Sequence, residues 1–105
     1  MEFNLNQEQK LIKSTARDFA NKELYPDAVL RDNEKIWPKD AVKKMGDLGF
    51  MGMMVSPAYN GGGMDTISYA IAMEEISRVD ASASVIMSVN NSLVCYLLEK
   101  YASEF

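Results

Sequence analysis

An all-α domain, a bundle of about five to six helices, is what this sequence predicts. Three observations carry that expectation. Apolar residues recur at helical spacing in segment after segment, no stretch shows sustained period-two alternation, and the breaks between segments fall at capping residues, prolines or glycines. With 105 residues the chain makes a single domain, 1–105, with one modest core, and no internal repeat is apparent.

The first helix is expected from about Gln7. Asn6 followed by Gln9 reads as a capping box, and Ile12, Ala16, Phe19 and Ala20 form an apolar stripe opposite Lys10, Lys13, Arg17 and Asn21. Pro26 ends or kinks that helix, then opens a short second one to about Asn33, with Asp27 well placed against the helix dipole. Pro38 opens a third, with Ala41, Val42, Met45 and Leu48 on the apolar face, Lys39, Lys43 and Lys44 on the wet one, and Gly49 as the stop.

The run from Phe50 to Asp65 holds four apolar residues around Gly52, then a proline and three consecutive glycines, and reads as a packed connection leading into a tight loop. Gly61-Gly62-Gly63 has neither the lysine of a phosphate-binding loop nor a preceding strand, so a plain loop is expected. Asp65 caps a fourth helix, Thr66 to about Val79, whose first half is apolar on nearly all sides and is expected to be sandwiched. Asp80 caps a fifth, running to about Tyr101. It has an apolar stripe of Ile86, Val89, Leu93 and Leu97 and a second stripe of small polar residues, Ser84, Ser88, Asn91 and Cys95.

Composition narrows function. A net charge of −4 without a Lys/Arg cluster argues against nucleic acid, whose phosphates need a concentrated basic face. With no histidine and one cysteine, histidine acid/base chemistry, an internal disulfide and the usual Cys/His zinc sites are excluded. Cys95, among Leu93, Val94, Tyr96 and Leu97, reads as a packing thiol. The polar start after Met1 and the lack of an unbroken apolar run near the ~20 residues of a membrane span lead to the expectation of a cytoplasmic protein.

Few residues offer chemistry. Glu74 and Glu75 are neighbours on a helix and point about 100° apart, so they cannot share a proton, and Arg78 one turn on suggests an ion pair instead. The Ser84/Ser88/Asn91 stripe, with Met87 and Asn90 beside it, has two readings: small residues that admit a neighbouring helix, or one wall of a mostly apolar ligand cavity. Asparagines in a buried helix need hydrogen-bond partners, which points to a neighbouring loop, another domain or water.

The stretch Tyr69 to Leu93, YAIAMEEISRVDASASVIMSVNNSL, resembles a segment of the acyl-CoA dehydrogenase family, especially its short-chain or butyryl-CoA type. FANKELYPDA, Phe19 to Ala28, resembles the end of that family's first helix, and GDLGFMGMMVSPAYNGGGMD, Gly46 to Asp65, its LGxxGxxxPxxYGGxGxD loop. The loop departs from the pattern: Pro57 to Tyr59 is one residue shorter, Ala58 stands where an acidic residue is frequent, and Asn60 replaces the first glycine, a substitution that tolerates positive φ.

The resemblance implies the family's N-terminal helical domain, with the strand-rich middle domain and the C-terminal helical domain absent from this chain. It implies α,β-dehydrogenation of short-chain acyl-CoA thioesters in fatty-acid oxidation, with a glutamate taking the α-proton, FAD the β-hydride, and an electron-transferring flavoprotein the electrons. It places Met87, Ser88, Asn90, Asn91 and Leu93 beside the acyl tail. It puts the catalytic glutamate and most FAD contacts on other sequence, so the chain alone is expected to be inactive and to bind no FAD. It further implies a homotetramer for the full-length protein, with self-association possible for this domain alone. The other class of function is a noncatalytic helical interaction module, for which a monodisperse species or defined oligomer is expected rather than an exposed sticky face.

Overall fold

The computed structural model describes residues 3–103, so the Met1-Glu2 start on which the leader reading partly rests lies outside the described residues. Asn6 begins helix α1, Gln7–Phe19, with the expected reciprocal pair. Its Oδ1 accepts from the Gln9 backbone N–H at 2.8 Å, and its own N–H donates to Gln9 Oε1 at 3.1 Å. Gln9 is buried, and its Nε2 donates to Asp65 Oδ2 at 3.4 Å, so the box also ties the start of α1 to the start of α4 (Thr66–Val79). Asn6→Ala should cost about 1 kcal/mol in a urea melt.

The Ile12, Ala16, Phe19, Ala20 stripe is buried as expected and packs on α4. Pro26 neither stops the chain nor merely kinks it. The helix widens into a π turn over Ala20–Leu24, where the Tyr25 N–H reaches back to the Ala20 carbonyl, then tightens into a 3₁₀ turn over Tyr25–Asp27 before α2, Ala28–Glu34. Proline lacks an N–H and its ring crowds the carbonyl four residues back, so the regular α-helical pattern cannot run through Pro26.

Helix α3, Lys39–Asp47, follows Pro38 and ends in a Schellman motif: Gly49, at φ 84°, donates to Gly46 O and Phe50 to Met45 O, both within 3.0 Å. Ala41 and Met45 are buried, whereas Leu48, expected on the same face, is 45% exposed because it sits at the cap itself. Phe50 packs edge-on against Phe19, ring centroids 6.2 Å apart, and joins Met53, Ile76, Ala83 and Met87 in one core.

Among the described residues no strand is present. The domain measures 39 × 39 × 20 Å, about two helix diameters thick, so a helix buries one side against the other layer and leaves its far side open. This corrects the expected sandwiching of α4. Ser68, Ala72, Glu75 and Ile76 face the core, but Ile67 is 58% exposed.

Asp65 caps α4 by accepting the Ser68 N–H at 2.7 Å, and this backbone hydrogen bond, chiefly, holds its carboxyl below the usual range. A lowered folded value means stability present above about pH 4 and lost as the pH falls through the folded value. An Asp65→Asn variant should therefore be less stable than the parent near pH 6, with the gap closing below about pH 4 in paired denaturation curves.

Candidate functional site

Asp80 starts the last helix. Its Oδ1 accepts the Ala83 N–H at 3.1 Å, while its Oδ2 takes a 2.6 Å ion-paired hydrogen bond from Arg31 Nη2. Arg31 Nη2 also donates to the Leu24 carbonyl at 3.0 Å, so a single guanidinium joins the π turn after α1, helix α2 and the corner where α4 meets the last helix. Nothing in the local pattern around Arg31 announces this bond, because its partner lies 49 residues away.

From Asp80 the chain runs helical over Ala81–Tyr101: α5, Ala81–Ser88; a π-helical segment, Val89–Cys95; and α6, Tyr96–Tyr101. By length and composition this helix meets the requirement for crossing a bilayer, with a mean hydropathy of 1.4 in its most apolar window, contrary to the expectation that no stretch approaches one. The serines and asparagines interrupt the apolar run without lowering its average much. The two asparagines also hydrogen-bond into a loop of the same domain, as a helix lying on a protein core does.

In this helix the small polar stripe, not the apolar one, turns towards the core. Ala83, Ser84, Met87 and Asn91 face the core, whereas Val89, Leu93 and Leu97 are 44–57% exposed and Ile86 is half-buried. The reason is the polar stripe itself. Asn91, 3% exposed, accepts the Met53 N–H through Oδ1 at 2.8 Å and donates through Nδ2 to the carbonyls of Phe50 at 2.8 Å and Met87 at 2.9 Å. Asn90 Nδ2 donates to the Met51 carbonyl, the hydroxyls of Tyr69 and Ser92 meet at 2.8 Å, and Glu99 Oε1 accepts the Ser56 N–H at 3.0 Å. The loop's buried polar backbone thus recruits the polar face, and the apolar face turns outward.

The loop from Phe50 to Met64 is folded on itself. Gly61, Gly62, Gly63 and Met64 donate their N–H groups to the carbonyls of Ser56, Gly52, Val55 and Met53, at 2.8–3.1 Å. Those amides are therefore committed within the loop and offer no donor set for a dinucleotide's phosphates. The plain-loop reading thus has a physical basis. Asn60 takes the left-handed conformation, φ 65°, as its tolerance of positive φ suggested.

The five residues expected at the acyl wall are not on one surface. Met87 and Asn91 are in the core, Ser88 and Asn90 are half-buried, and Leu93 is 57% exposed. Met51, Val85, Val89, Asn90 and Val94 line an open, mostly apolar groove of about 450 Å³ along one flank of the π segment. Met54, Val55, Met64, Asn91, Cys95 and Tyr96 line another of about 430 Å³ on its other flank. Cys95 is half-buried rather than fully packed, with Sγ 3.8 Å from the Met51 carbonyl.

Glu74 is exposed and Glu75 buried, in keeping with their divergence on the helix. The ion pair expected with Arg78 forms at 3.5 Å, and Arg17 of α1 adds a second contact at 3.9 Å, which makes this an inter-helix anchor. Arg78 Nη2 also donates to Asn21 Oδ1 at 3.1 Å across the same seam.

With this geometry in place, likeness to known proteins is specific. The family model for the acyl-CoA dehydrogenase N-terminal domain matches residues 6–105. The mitochondrial short-chain specific acyl-CoA dehydrogenase of Homo sapiens is 49% identical over 100 residues, 95% of this chain and 24% of that protein. The short-chain specific acyl-CoA dehydrogenase of Clostridium acetobutylicum is 41% identical over 104 residues, 99% of this chain and 27% of that protein. Among solved structures, butyryl-CoA dehydrogenase from Megasphaera elsdenii superimposes with a TM-score of 0.90 at 31% identity, covering 99% of this chain and 28% of that one. A chain in the structure of the electron transferring flavoprotein of Acidaminococcus fermentans superimposes with a TM-score of 0.94 at 38% identity, covering 99% of this chain and 27% of that one. The chain spans about a quarter of the length of the curated relatives it matches.

Proposed function

The chain belongs to the acyl-CoA dehydrogenase family through its N-terminal domain, and we propose that it serves as that domain of a flavin-dependent short-chain acyl-CoA dehydrogenase, furnishing one wall of the acyl-chain pocket. The observation that carries this reading is the π-helical stretch Val89–Cys95. It falls on the segment singled out from the sequence, and π-helical bulges concentrate at functional sites. The wall is the outward side of that segment: Leu93 and Asn90 meet the acyl tail, Ser88 borders it, and Met87 and Asn91 support it from the core side.

In this reading the substrate is a short-chain acyl-CoA, the cofactor FAD, the electron acceptor an electron-transferring flavoprotein, and the working assembly a cytoplasmic homotetramer. FAD supplies the hydride acceptor when bound. The chain's own contribution is to exclude water from the tail and shape its path, with the α-proton base and most flavin contacts on the middle and C-terminal domains.

The same reading gives the open apolar face a task, because Val85, Val89, Leu93, Leu97 and Leu98 are all at least 44% exposed along one helix, more than an isolated domain ordinarily leaves in one row. Light scattering and hydrophobic-dye fluorescence on the 105-residue chain should show self-association and strong dye binding, both reduced in a Val89→Glu/Leu93→Glu double variant. A monodisperse chain that ignores the dye would favour the standalone interaction module instead.

A further inference from the structure

We propose that Asn91 is a positioning residue that holds Val89–Cys95 in its π form and thereby sets which side chains meet the acyl tail; the second half of this rests on the wall reading given above. Asparagine is a poor helix former, and burying its amide is costly unless the amide is bonded. Here the amide is bonded at both ends. Oδ1 accepts from Met53 N–H, and Nδ2 donates to the carbonyls of Phe50 and Met87.

The Met87 bond is the telling one. In an α-helix the carbonyl of residue 87 pairs with the backbone N–H of residue 91, but a π turn moves such bonds one residue onward. The Asn91 side chain supplies a donor to that same carbonyl from within the turn. Only an amide offers two donors and an acceptor on so short a stem, and serine, aspartate and leucine do not.

The other two bonds reach a fixed frame. Phe50 is set by the Schellman end of α3, and the Met53 carbonyl is itself bonded to the Met64 N–H. The loop therefore acts as a template for the helix, across a sequence separation of about 40 residues. Relaxation to an α-helix would turn everything beyond Asn91 by about 100° relative to the present arrangement, moving Leu93, Val94 and Leu97 away from their current directions.

The test has two arms. In the 105-residue chain, couplings across backbone hydrogen bonds read the i→i+5 pattern directly by NMR. Asn91→Leu and the near-isosteric Asn91→Asp should both shift residues 89–95 to i→i+4 bonding, with trimethylamine oxide present to keep a weakened variant folded. Persistence of the π pattern in either variant overturns the proposal whatever happens to function.

In the dehydrogenase that carries this domain, Asn91→Asp should change the ratio of kcat/KM for hexanoyl-CoA to that for butyryl-CoA by roughly tenfold or more. A purely structural role would lower both alike. A lost π pattern with an unchanged ratio would leave Asn91's hold on the helix standing and overturn its link to the acyl tail together with the wall reading.

Discussion

Arg31→Met should lower the unfolding free energy by about 3–5 kcal/mol, the cost of leaving a buried charge without its partner. The side chains of Arg31 and Asp80 are only 12% and 9% exposed, and their 2.6 Å contact is the shortest link between α2 and the α4–α5 corner. Methionine keeps much of the stem's packing, so the loss isolates the guanidinium. It also strips the Leu24 carbonyl of its 3.0 Å bond from that group. Because Asp80 also caps α5, the prediction has an internal control: the Arg31→Met/Asp80→Asn double variant keeps a capping oxygen without a carboxylate charge, and it should recover part of the loss. Chemical denaturation of the two single variants and the double one measures the coupling. A loss below about 1 kcal/mol for Arg31→Met would place the pair with ordinary surface ion pairs.

Gly61→Ala should cost about 3 kcal/mol or more, a large penalty for one methyl group in a surface loop. A Cβ there would lie 2.2 Å from the Val55 carbonyl oxygen and 2.4 Å from Val55 Cβ, and the backbone has nowhere to go. Opening the loop would strain the Gly62, Gly63 and Met64 bonds that close it and loosen the frame on which Asn91 and Glu99 are anchored. The adjacent position gives the contrast. Asn60 already sits at φ 65°, where glycine is at ease, so Asn60→Gly should change stability by less than about 1 kcal/mol. Equal effects at the two sites in urea melts would mean that close backbone approach is not what selects glycine at 61.

What was legible in the sequence is what local physics decides. Asn6, Asp65 and Asp80 each cap the helix expected of them, because a capping side chain bonds to an amide two or three residues ahead and needs no knowledge of the rest of the chain. Gly49 stops α3 for the same reason. Pro26 was visible as a disturbance, but whether the backbone would break or change its bonding depended on how Leu24 is buried and how Arg31 grips its carbonyl.

In the last helix, periodicity by itself leaves open which face turns inward. Periodicity tells which residues share a side, and it correctly separated Val89, Leu93 and Leu97 from Ser84, Ser88 and Asn91. It cannot tell what each side meets. The decisive fact is a loop about 40 residues earlier whose Phe50 and Met51 carbonyls and Met53 N–H bond to the asparagines and draw them inward. The need for partners at Asn90-Asn91 was readable, and a loop was among the candidates; the identity of that loop, the widening of the helix and the Arg31–Asp80 bond were not, since each depends on contacts between distant parts of the chain.

In the proposed function, the outward side of Val89–Cys95 touches the acyl tail. A butyryl-CoA analogue carrying a photoreactive group at the end of its acyl chain, bound to the dehydrogenase proposed to carry this domain and mapped by peptide mass spectrometry, probes that contact. Adducts within residues 88–93, suppressed by excess butyryl-CoA, are the predicted result. Competable adducts confined to other parts of the enzyme, with none in this helix, would contradict it.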